Sequence, residues 1–348
     1  MPTIIKREDF LNDLNQVKPG LSVREFLEQS TCVVFNEGAV MTFNDEVYCR
    51  KEMKLNGVVG AVNAQTLFAI LEKMNEDVLE ICDGSNGELE FRGKKKAFGI
   101  AKDKEIFLPV DRVEKPGEWT KLPDGFCEAV DLVRHCVGTD ETKFILTCVH
   151  IEPRGMEACD NLQAIRVKFK TGVEESIVTK GTSLMQLQSL DVSSFSVTKS
   201  WMHFRNKKGL TFSCRRYSEE FPKLDGLLNV SGDHIAVPRT LSDAADRAAV
   251  FADTLGEPLI NVRLEEDKIR IKGVGALGWY KEVKKVDYKG QLMEFVISAH
   301  LLKYVSEQYQ KAEITERALK VTGDRWSYIT ALGKSVEKTK TKPKTEEK

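Results

Sequence analysis

The sequence predicts an α+β protein made of three tandem copies of one domain, each with two helices on an antiparallel sheet. Three observations lead to this prediction. The chain has 348 residues, more than a single hydrophobic core usually organises. Its composition, 41% hydrophobic and 30% charged, is typical of a soluble globular protein. A pattern of helix, strands, helix and strands occurs three times along the chain.

The first copy is predicted over residues 1–117. It begins with an amphipathic helix over residues 7–17, which Lys18-Pro19-Gly20 ends. The tripeptide Asn36-Glu37-Gly38 lies between two apolar stretches and predicts a hairpin. A second helix is expected over residues 64–74, and three strands follow near residues 78–82, 88–92 and 97–101.

The second copy is predicted over residues 118–236. Asp124 can cap its first helix, whose buried side begins at Phe126. Strands are expected over residues 146–152, 157–159 and 164–169, followed by a short helix over residues 182–190.

The third copy is predicted over residues 237–333, with Thr240 capping its first helix. Strands are expected over residues 261–264, 268–272 and 280–286, and a second helix over residues 298–309. Residues 334–348 are rich in lysine and almost without large apolar side chains, so they predict a disordered tail.

Spacing supports the repeat. Leu67, Leu184 and Leu301 hold the same place in the second helix of each copy and lie 117 residues apart. Residues 88–109 also align with residues 201–222 without a gap, at an offset of 113. A solenoid repeat is only ~20 to 50 residues long, so this period indicates copies of a whole domain.

The stretch from Leu210 to Phe251 joins a strand ending in Glu219-Glu220-Phe221-Pro222 to an apolar tetrapeptide and a helix from Thr240. This order resembles the join between the second and third domains of the bacterial-type DNA sliding clamp, the β subunit of DNA polymerase III. The resemblance extends more weakly over residues 1–333. It implies half of a closed ring: two chains encircle duplex DNA, a clamp loader places the ring on the DNA, and the ring tethers a polymerase. This function belongs in the cytoplasm.

The net charge of −1 and the pI near 6.6 bear on this expectation. A protein that grips DNA by surface charge alone usually has a pI above about 9. Affinity for DNA falls with salt by a log–log slope of about −0.9 per phosphate contact, so a protein that slides needs few contacts. A near-neutral chain therefore fits a ring better than a groove binder.

The resemblance implies that Arg24 and the loop pair Lys143-Phe144 contact DNA. Lys73 and Arg134 lie in helices that would line the pore, although a solvated helix face explains each of them equally well. A basic hairpin turn is a weaker candidate for DNA contact, because any solvated hairpin turn can show the same charges. Its residues are Arg205, Lys207 and Lys208.

The resemblance also implies two contact surfaces. Ring closure falls on Phe98 and Ile100 of the first copy and on Val250 and Phe251 of the third, although ordinary domain cores explain these residues as well. A pocket for partner peptides is implied at Leu146, Asp160, Leu162, Gln163, Ile165, Arg166, His234, Ile329, Ala331 and Leu332. Leu162-Gln163 stands where the family often has His-Arg, and Ala331-Leu332 replaces a Met-Pro ending. Core packing accounts equally well for Leu146 and Ile329.

Motifs of catalysis are missing. The sequence has no HExxH, GxSxG or Walker loop, and its eight cysteines are scattered without a CxxC pair. The GxGxxG at Gly273 to Gly278 precedes an alternating stretch instead of a helix, so it predicts a hairpin and no dinucleotide site. We expect no enzyme, no cofactor, no metal and no membrane segment.

Two alternatives stay open at this point. One is a DNA-associated protein with clamp-like domains that stays open or monomeric. The other is an enzyme with catalytic groups in a cleft between domains, with His234 or His300 as candidates, because catalytic triads assemble from residues distant in sequence.

Overall fold

The computed structural model describes residues 2–55, 57–84, 86–252 and 257–334. One order of elements occurs three times in this part of the chain: a strand, a helix, four strands, a second helix and three strands. The predicted fold class, three tandem α+β copies, is confirmed. The residue limits assigned to the domains stay predictions.

The first copy contains β1 (Thr3–Lys6), α1 (Arg7–Val17), β2 (Cys32–Asn36), β3 (Ala39–Phe43), β4 (Val47–Glu52), β5 (Gly60–Asn63), α2 (Ala64–Lys73), β6 (Val78–Asp83), β7 (Glu88–Arg92) and β8 (Ala97–Asp103). The second contains β9 (Thr120–Lys121), α3 (Phe126–Val133), β10 (Cys148–Glu152), β11 (Gly155–Cys159), β12 (Gln163–Lys168), β13 (Ile177–Lys180), α4 (Gly181–Leu184), β14 (Ser194–Val197), β15 (Trp201–Arg205) and β16 (Leu210–Tyr217).

A short helix, α5 (Asp225–Leu228), precedes the third copy. This copy contains β17 (Asp233–Ala236), α6 (Thr240–Ala249), β18 (Leu259–Glu265), β19 (Lys268–Gly275), β20 (Gly278–Lys285), β21 (Met293–Ser298), α7 (Ala299–Gln308), β22 (Lys311–Ile314), β23 (Ala318–Thr322) and β24 (Trp326–Ala331). The described chain ends with β25 (Gly333–Lys334).

Strand pairing repeats along with the order of elements. The leading strand of each copy pairs with the first strand after the second helix, as β1 with β6, β9 with β14 and β17 with β22. The fourth strand of the middle group returns to its first, as β2 with β5, β10 with β13 and β18 with β21. These pairings are antiparallel, which allows one face of each sheet to carry helices.

The first helix of each copy buries three side chains at matching positions. These are Phe10, Leu14 and Val17 in α1, Phe126, Val130 and Val133 in α3, and Leu241, Ala245 and Ala248 in α6. The ring centroid of Phe10 lies 5.9 Å from that of Phe91, and Phe126 lies at the same distance from Phe204. The helical spacing of apolar residues in the sequence thus marks the buried side correctly.

The two predicted hairpins are confirmed. Asn36 pairs with Ala39 across Glu37 and Gly38, which have φ values of 49° and 70°, the positive values that a type I′ turn requires. Gly275 pairs with Gly278 across a two-residue turn, so the GxGxxG stretch opens no helix.

The described chain forms two compact units. The first contains residues 1–158 and 168–221, and the second contains residues 159–167 and those from 222 onward. Within the first unit β4 pairs with β16, and within the second unit β12 pairs with β24. Each of these joints connects the third strand of one copy's middle group to the last strand of the next copy.

The spacing predicted for the second helices is wrong by one residue. Asn63 accepts a hydrogen bond from the Thr66 N–H, and Ser298 accepts one from the Leu301 N–H, so both residues are N-caps. Counting from these caps, Leu302 corresponds to Leu67. Leu302 is buried, whereas Leu301 is only half-buried.

The ungapped alignment also slips at a turn. Arg92 pairs with Ala97, but Arg205 pairs with Thr211, so the second turn is one residue longer. Phe98 therefore corresponds to Phe212.

Two predicted caps and one predicted helix differ from the structure. Gly125, with a φ of 84°, precedes α3 in place of Asp124 as N-cap, and Arg239 precedes α6, which makes Thr240 the first helical residue. The helix expected over residues 182–190 is one α-helical turn, α4, followed by a 3-10 segment, Met185–Ser189.

The predicted tail lies almost wholly outside the described residues, which end at Lys334. None of the helices in the described part of the chain has both the length and the apolar character that crossing a membrane requires.

Candidate nucleic-acid interface and partner surface

Arg24 lies in the segment between the end of α1 and the start of β2. Gln29 anchors this segment: its buried side chain donates to the Glu105 carbonyl at 2.8 Å and accepts from the Phe107 N–H at 2.9 Å. Arg24 is exposed, and its neighbours Val23 and Phe26 are 99% and 65% exposed. The anchored segment therefore presents one cation, Arg24, and two apolar side chains to solvent.

Lys143 and Phe144 belong to a 3-10 segment, Glu141–Thr147. Asp140 caps the segment by accepting from the Thr142 N–H and hydroxyl, and these hydrogen bonds lower the pKa of the Asp140 carboxyl. Lys143 is exposed, whereas the Phe144 ring packs on Tyr217 with centroids 4.7 Å apart. Of the predicted pair, Lys143 faces solvent and Phe144 holds the segment in place.

The basic residues of the helices differ in what they contact. Arg7 donates to the carbonyls of Leu71 and Glu76 at the end of α2, which is a structural role. Arg134 forms an ion pair with Asp131 at 3.2 Å, and Lys73 is exposed in the last turn of α2.

In the third copy the helix cations have acidic partners. Arg247 lies 2.9 Å from Glu282, and Lys303 lies 2.7 Å from Asp246. These acids offset much of the positive charge on the helices, which accords with the near-neutral net charge.

The basic turn between β15 and β16 is held by Asn206. Its side-chain oxygen accepts from the Lys208 and Leu210 N–H groups, and its amide nitrogen donates to the Leu190 carbonyl. Lys207 is exposed. The Arg205 guanidinium lies over the Trp119 ring, 4.5 Å from the centroid, so this cation packs on the protein's own surface.

The strands β20 and β8 each keep an edge that no other strand covers within the described chain. β20 pairs with β19 alone, and β8 pairs with β7 along Ala97 to Ala101 but with β5 only at Lys102 and Asp103. On β20, Trp279 and Val283 share one face and are 66% and 51% exposed.

The residues predicted for ring closure lie on or beside these edges. Phe98 stacks on Phe91 with ring centroids 4.5 Å apart, and Ile100 is buried. Val250 is 71% exposed, and the Phe251 ring stacks on Tyr280 of β20 at 6.3 Å. Sequence reasoning missed Trp279 and Val283, although their alternation with lysines marks an exposed strand face.

The β12–β24 pairing brings most of the predicted pocket residues together. Asp160 starts a turn into β12: its carboxylate accepts from the Leu162 N–H at 2.7 Å and the Gln163 N–H at 2.9 Å. The Gln163 side chain in turn accepts from the Tyr328 hydroxyl at 2.9 Å. Tyr328, which sequence reasoning did not select, therefore orients Gln163.

Around this pairing, buried and open apolar groups alternate. Ile165, Ile329 and Leu332 are buried, whereas Leu162 and Ala331 are exposed. Arg166 forms an ion pair with Asp225 at 2.7 Å, which ties α5 to β12.

Two predicted pocket residues lie elsewhere. His234 is exposed on β17, where it pairs with Glu313 of β22. Leu146 belongs to the first unit and is half-buried at the end of the 3-10 segment.

Known structures resemble this chain over nearly its full length. The β subunit of DNA polymerase III from Pseudomonas aeruginosa matches with a TM-score of 0.80 and 15% identity, covering 96% of this chain and all of the other. The sliding clamp from Bacillus subtilis matches with a TM-score of 0.79 and 17% identity, over 96% and 99%. The β subunit from Thermotoga maritima gives 0.82 and 12%, over 96% and 100%.

No protein-family model and no curated protein sequence matches the chain. At such low identities the structural likeness establishes a shared fold.

Proposed function

We propose that this chain, which has the fold of the bacterial sliding clamp, is a DNA polymerase processivity factor. Two chains close a ring around duplex DNA in the cytoplasm and tether a polymerase. They catalyse no reaction themselves. The ring stays on DNA by enclosure, so tight and sequence-specific contacts are not needed.

The observation that carries this proposal is that two strands, β20 and β8, lack the partner that the equivalent strands have within the chain. Each joint within the chain uses the third strand of one copy's middle group and the last strand of the next copy, as in β4–β16 and β12–β24. By the same rule, β20 of the third copy and β8 of the first copy each need a partner. A head-to-tail pairing of β20 with β8 of a second chain supplies both, and such heterologous contacts generate closed rings when the rotation suits.

Charge supports this pairing. β20 carries three lysines, Lys281, Lys284 and Lys285, and one glutamate, Glu282, whereas β7, the neighbour of β8, carries Glu88 and Glu90 with Arg92. The proposed junction also has apolar side chains. Those beside the two edges are Phe98, Ile100, Val250 and Phe251, and those exposed on β20 are Trp279 and Val283. The positive excess on β20 and the negative excess on β7 beside the uncharged edge of β8 favour head-to-tail over head-to-head association.

DNA contact in this proposal is sparse. Arg24, Lys73 and Lys143 are exposed cations proposed to contact phosphates, together with Arg134, and Arg205 and Lys207 form a secondary basic turn. Few contacts give weak salt dependence and permit sliding.

Polymerase and clamp loader would dock through short peptide motifs at the β12–β24 surface. The proposed site comprises Leu162, Gln163, Arg166 and Ala331 at the surface, with Ile165, Ile329 and Leu332 beneath. Exposed Leu162 favours an apolar peptide side chain, and Gln163 offers an uncharged amide where the family often has arginine.

The first experiment tests ring closure by measuring the mass of the chain in solution at micromolar concentration. We expect a species of twice 39.2 kDa. Trp279→Asp should shift it to the single-chain mass, because a carboxylate would be buried at the junction. Val23→Asp is the matched control, since Val23 is equally apolar surface on the first copy and should leave the dimer intact.

A monomeric wild-type chain would overturn the ring. A dimer that survives Trp279→Asp would move the junction away from β20.

The second experiment tests enclosure. After a clamp loader has acted, the protein should remain on nicked circular DNA through a high-salt wash and leave once the DNA is linearised. Retention on linear DNA, or loss from circular DNA in salt, would show adhesion and would favour the open DNA-associated alternative.

A further inference from the structure

The β10–β11 hairpin of the second copy carries polar side chains where the first copy is apolar. His150 pairs with Glu157 across the hairpin, as Val34 pairs with Met41 in the first copy. Val34 and Met41 belong to a buried apolar cluster. Glu157 is only 4% exposed, so the second copy buries a carboxylate at a core position.

The correspondence between the two hairpins follows from the second helices. Asn63 directly precedes α2 and pairs with Cys32, and Lys180 directly precedes α4 and pairs with Cys148. Two residues further along each strand lie Val34 and His150. The corresponding pair in the third copy is Asn261 and Lys272, so this position varies among the copies, and the second copy is the one that places a histidine and a carboxylate there.

A third ligand group lies beside this pair. Glu152 follows His150 by two residues on β10, so both side chains point to the same face of the strand. One ligand atom each from His150, Glu152 and Glu157 lies within 4.8 Å of the others. A tetrahedral first-row metal ion with bonds of about 2.0–2.2 Å holds its donors roughly 3.3–3.6 Å apart, so the three side chains must close around the ion.

The His150 ring is already oriented by its surroundings. Its face stacks on the Phe221 ring, with centroids 5.0 Å apart and planes at 20°. Its Nε2 lies within hydrogen-bond distance of the Ser176 hydroxyl, and its Nδ1 lies 3.4 Å from the Glu157 carboxylate. When Nε2–H donates to Ser176, the Nδ1 lone pair faces a carboxylate, an arrangement that a cation between them would stabilise.

We propose that His150, Glu152 and Glu157 bind one divalent first-row transition-metal ion. One imidazole with two carboxylates suits ions such as Mn²⁺ and Zn²⁺, whereas Ca²⁺ and Mg²⁺ favour sites made of oxygen alone. Ser176 holds the imidazole tautomer that leaves Nδ1 free to coordinate. The bound ion fastens β10 to β11 and stabilises the second copy.

The test uses the full-length chain stripped of metal with a chelator. Mn²⁺ is the probe, because it disfavours thiolates and the chain has eight free cysteines. Loss of the free Mn²⁺ signal in electron paramagnetic resonance measures binding. Co²⁺ absorption then reports the donor type, and we expect ligand-field bands without a thiolate charge-transfer band. Wild type should bind one equivalent and unfold at a higher temperature with metal.

Three variants separate a site from a merely buried polar pair. Glu152→Gln removes an exposed ligand and should weaken Mn²⁺ binding more than ten-fold without affecting folding, since even outer-sphere changes reduce metal affinity by about 10–100-fold. His150→Val with Glu157→Met restores the first copy's residues and should abolish binding. Replacing a buried polar pair with packed apolar groups is often neutral or stabilising, so this variant is expected to fold. His300→Ala, an exposed histidine on α7, is the control and should bind as wild type does.

The proposal fails if wild type does not bind Mn²⁺ or Co²⁺, which would leave His150 and Glu157 as a hydrogen-bonded pair. It also fails if the double variant binds as tightly as wild type, or if Co²⁺ shows thiolate ligation.

Discussion

The second and third copies bring a helix onto a sheet with different side chains. In the second, Phe126 of α3 meets Phe204 of β15 across the helix–sheet layer. In the third, the matching positions are Leu241 on α6 and Val321 on β23, both buried and smaller. One topology therefore accommodates two core volumes, and we expect the helix to lie closer to the sheet where its side chains are small.

The closer approach is visible where the helix ends. A Cβ on Gly273 of β19 would lie 1.9 Å from the Ala248 carbonyl oxygen of α6. The corresponding strand residue is Thr42 in the first copy, where its hydroxyl donates to the Val17 carbonyl at 2.5 Å, and Ala158 in the second. A hydroxyl contact in the first copy is thus replaced by a direct backbone approach in the third.

Removing the large ring should have the largest effect. Phe126→Ala leaves a cavity between α3 and the sheet and should lower the free energy of unfolding by about 3–5 kcal/mol. Hydrogen exchange should show the loss of protection concentrated in the second copy. Phe107→Ala, at a half-exposed ring, is the control and should change stability little. Equal loss in all copies would contradict independent cores.

The corrected register of the second helices gives the next prediction. Leu302→Ala should destabilise the third copy by about 2–5 kcal/mol, because Leu302 occupies the buried position that Leu67 holds in the first. Leu301→Ala should have a clearly smaller effect. Denaturant unfolding of both variants decides between the registers, and a larger effect at Leu301 would restore the spacing of 117.

A smaller change tests the close approach directly. Gly273→Ala should destabilise the third copy by about 1–3 kcal/mol, because α6 must move away from β19. Gly226→Ala in α5 is the matched control: a Cβ there meets nothing within 4 Å, so a gain of up to about 1 kcal/mol is expected. If both substitutions stabilise the chain, α6 does not lie closer to its sheet than α3 does.

The smallest predicted effect concerns pH. His203 on β15 is buried between the hydroxyls of Ser213 and Thr198, whereas the matching position on β23 is Lys320. Burial lowers the pKa of His203 to about 4, with Glu114 opposing the shift.

An unfolded histidine has a pKa near 6.5. Below that pH, His203 is protonated in the unfolded chain but stays neutral in the folded chain, which favours unfolding. This contribution is complete above pH 6.5 and is lost as the pH falls toward 4. From pH 7.5 to 5.5, wild type should lose about 1 kcal/mol more than His203→Gln. Denaturant titrations at both values measure this, and parallel losses would place the histidine in solvent.

Local patterns predicted the elements of the fold well. The helix over residues 7–17 has the bounds of α1, and Glu37-Gly38 forms the expected turn. The failures have local causes: an extra residue in the turn after Arg205 breaks the offset of 113, and Leu301 and Leu302 are equally apolar, so spacing alone cannot choose between them.

The candidate sites were harder to predict. Periodicity identifies a strand but not the strand it pairs with, so the β4–β16 and β12–β24 joints and the uncovered edge of β20 were not foreseen. No metal motif surrounds His150 in the sequence, so residue spacing does not select it. Its partner Glu157 comes from across a hairpin, and only the register reveals that both replace an apolar pair.

The joints between copies are made by main-chain N–H and C=O groups along paired strands. Such bonds are the same whatever side chains flank them, so substitutions accumulate on both strands without altering how successive copies connect. A fold connected in this way persists after most of the sequence has changed. This is why a chain that shares about one residue in seven with the Pseudomonas aeruginosa subunit still superimposes on it along 96% of its length.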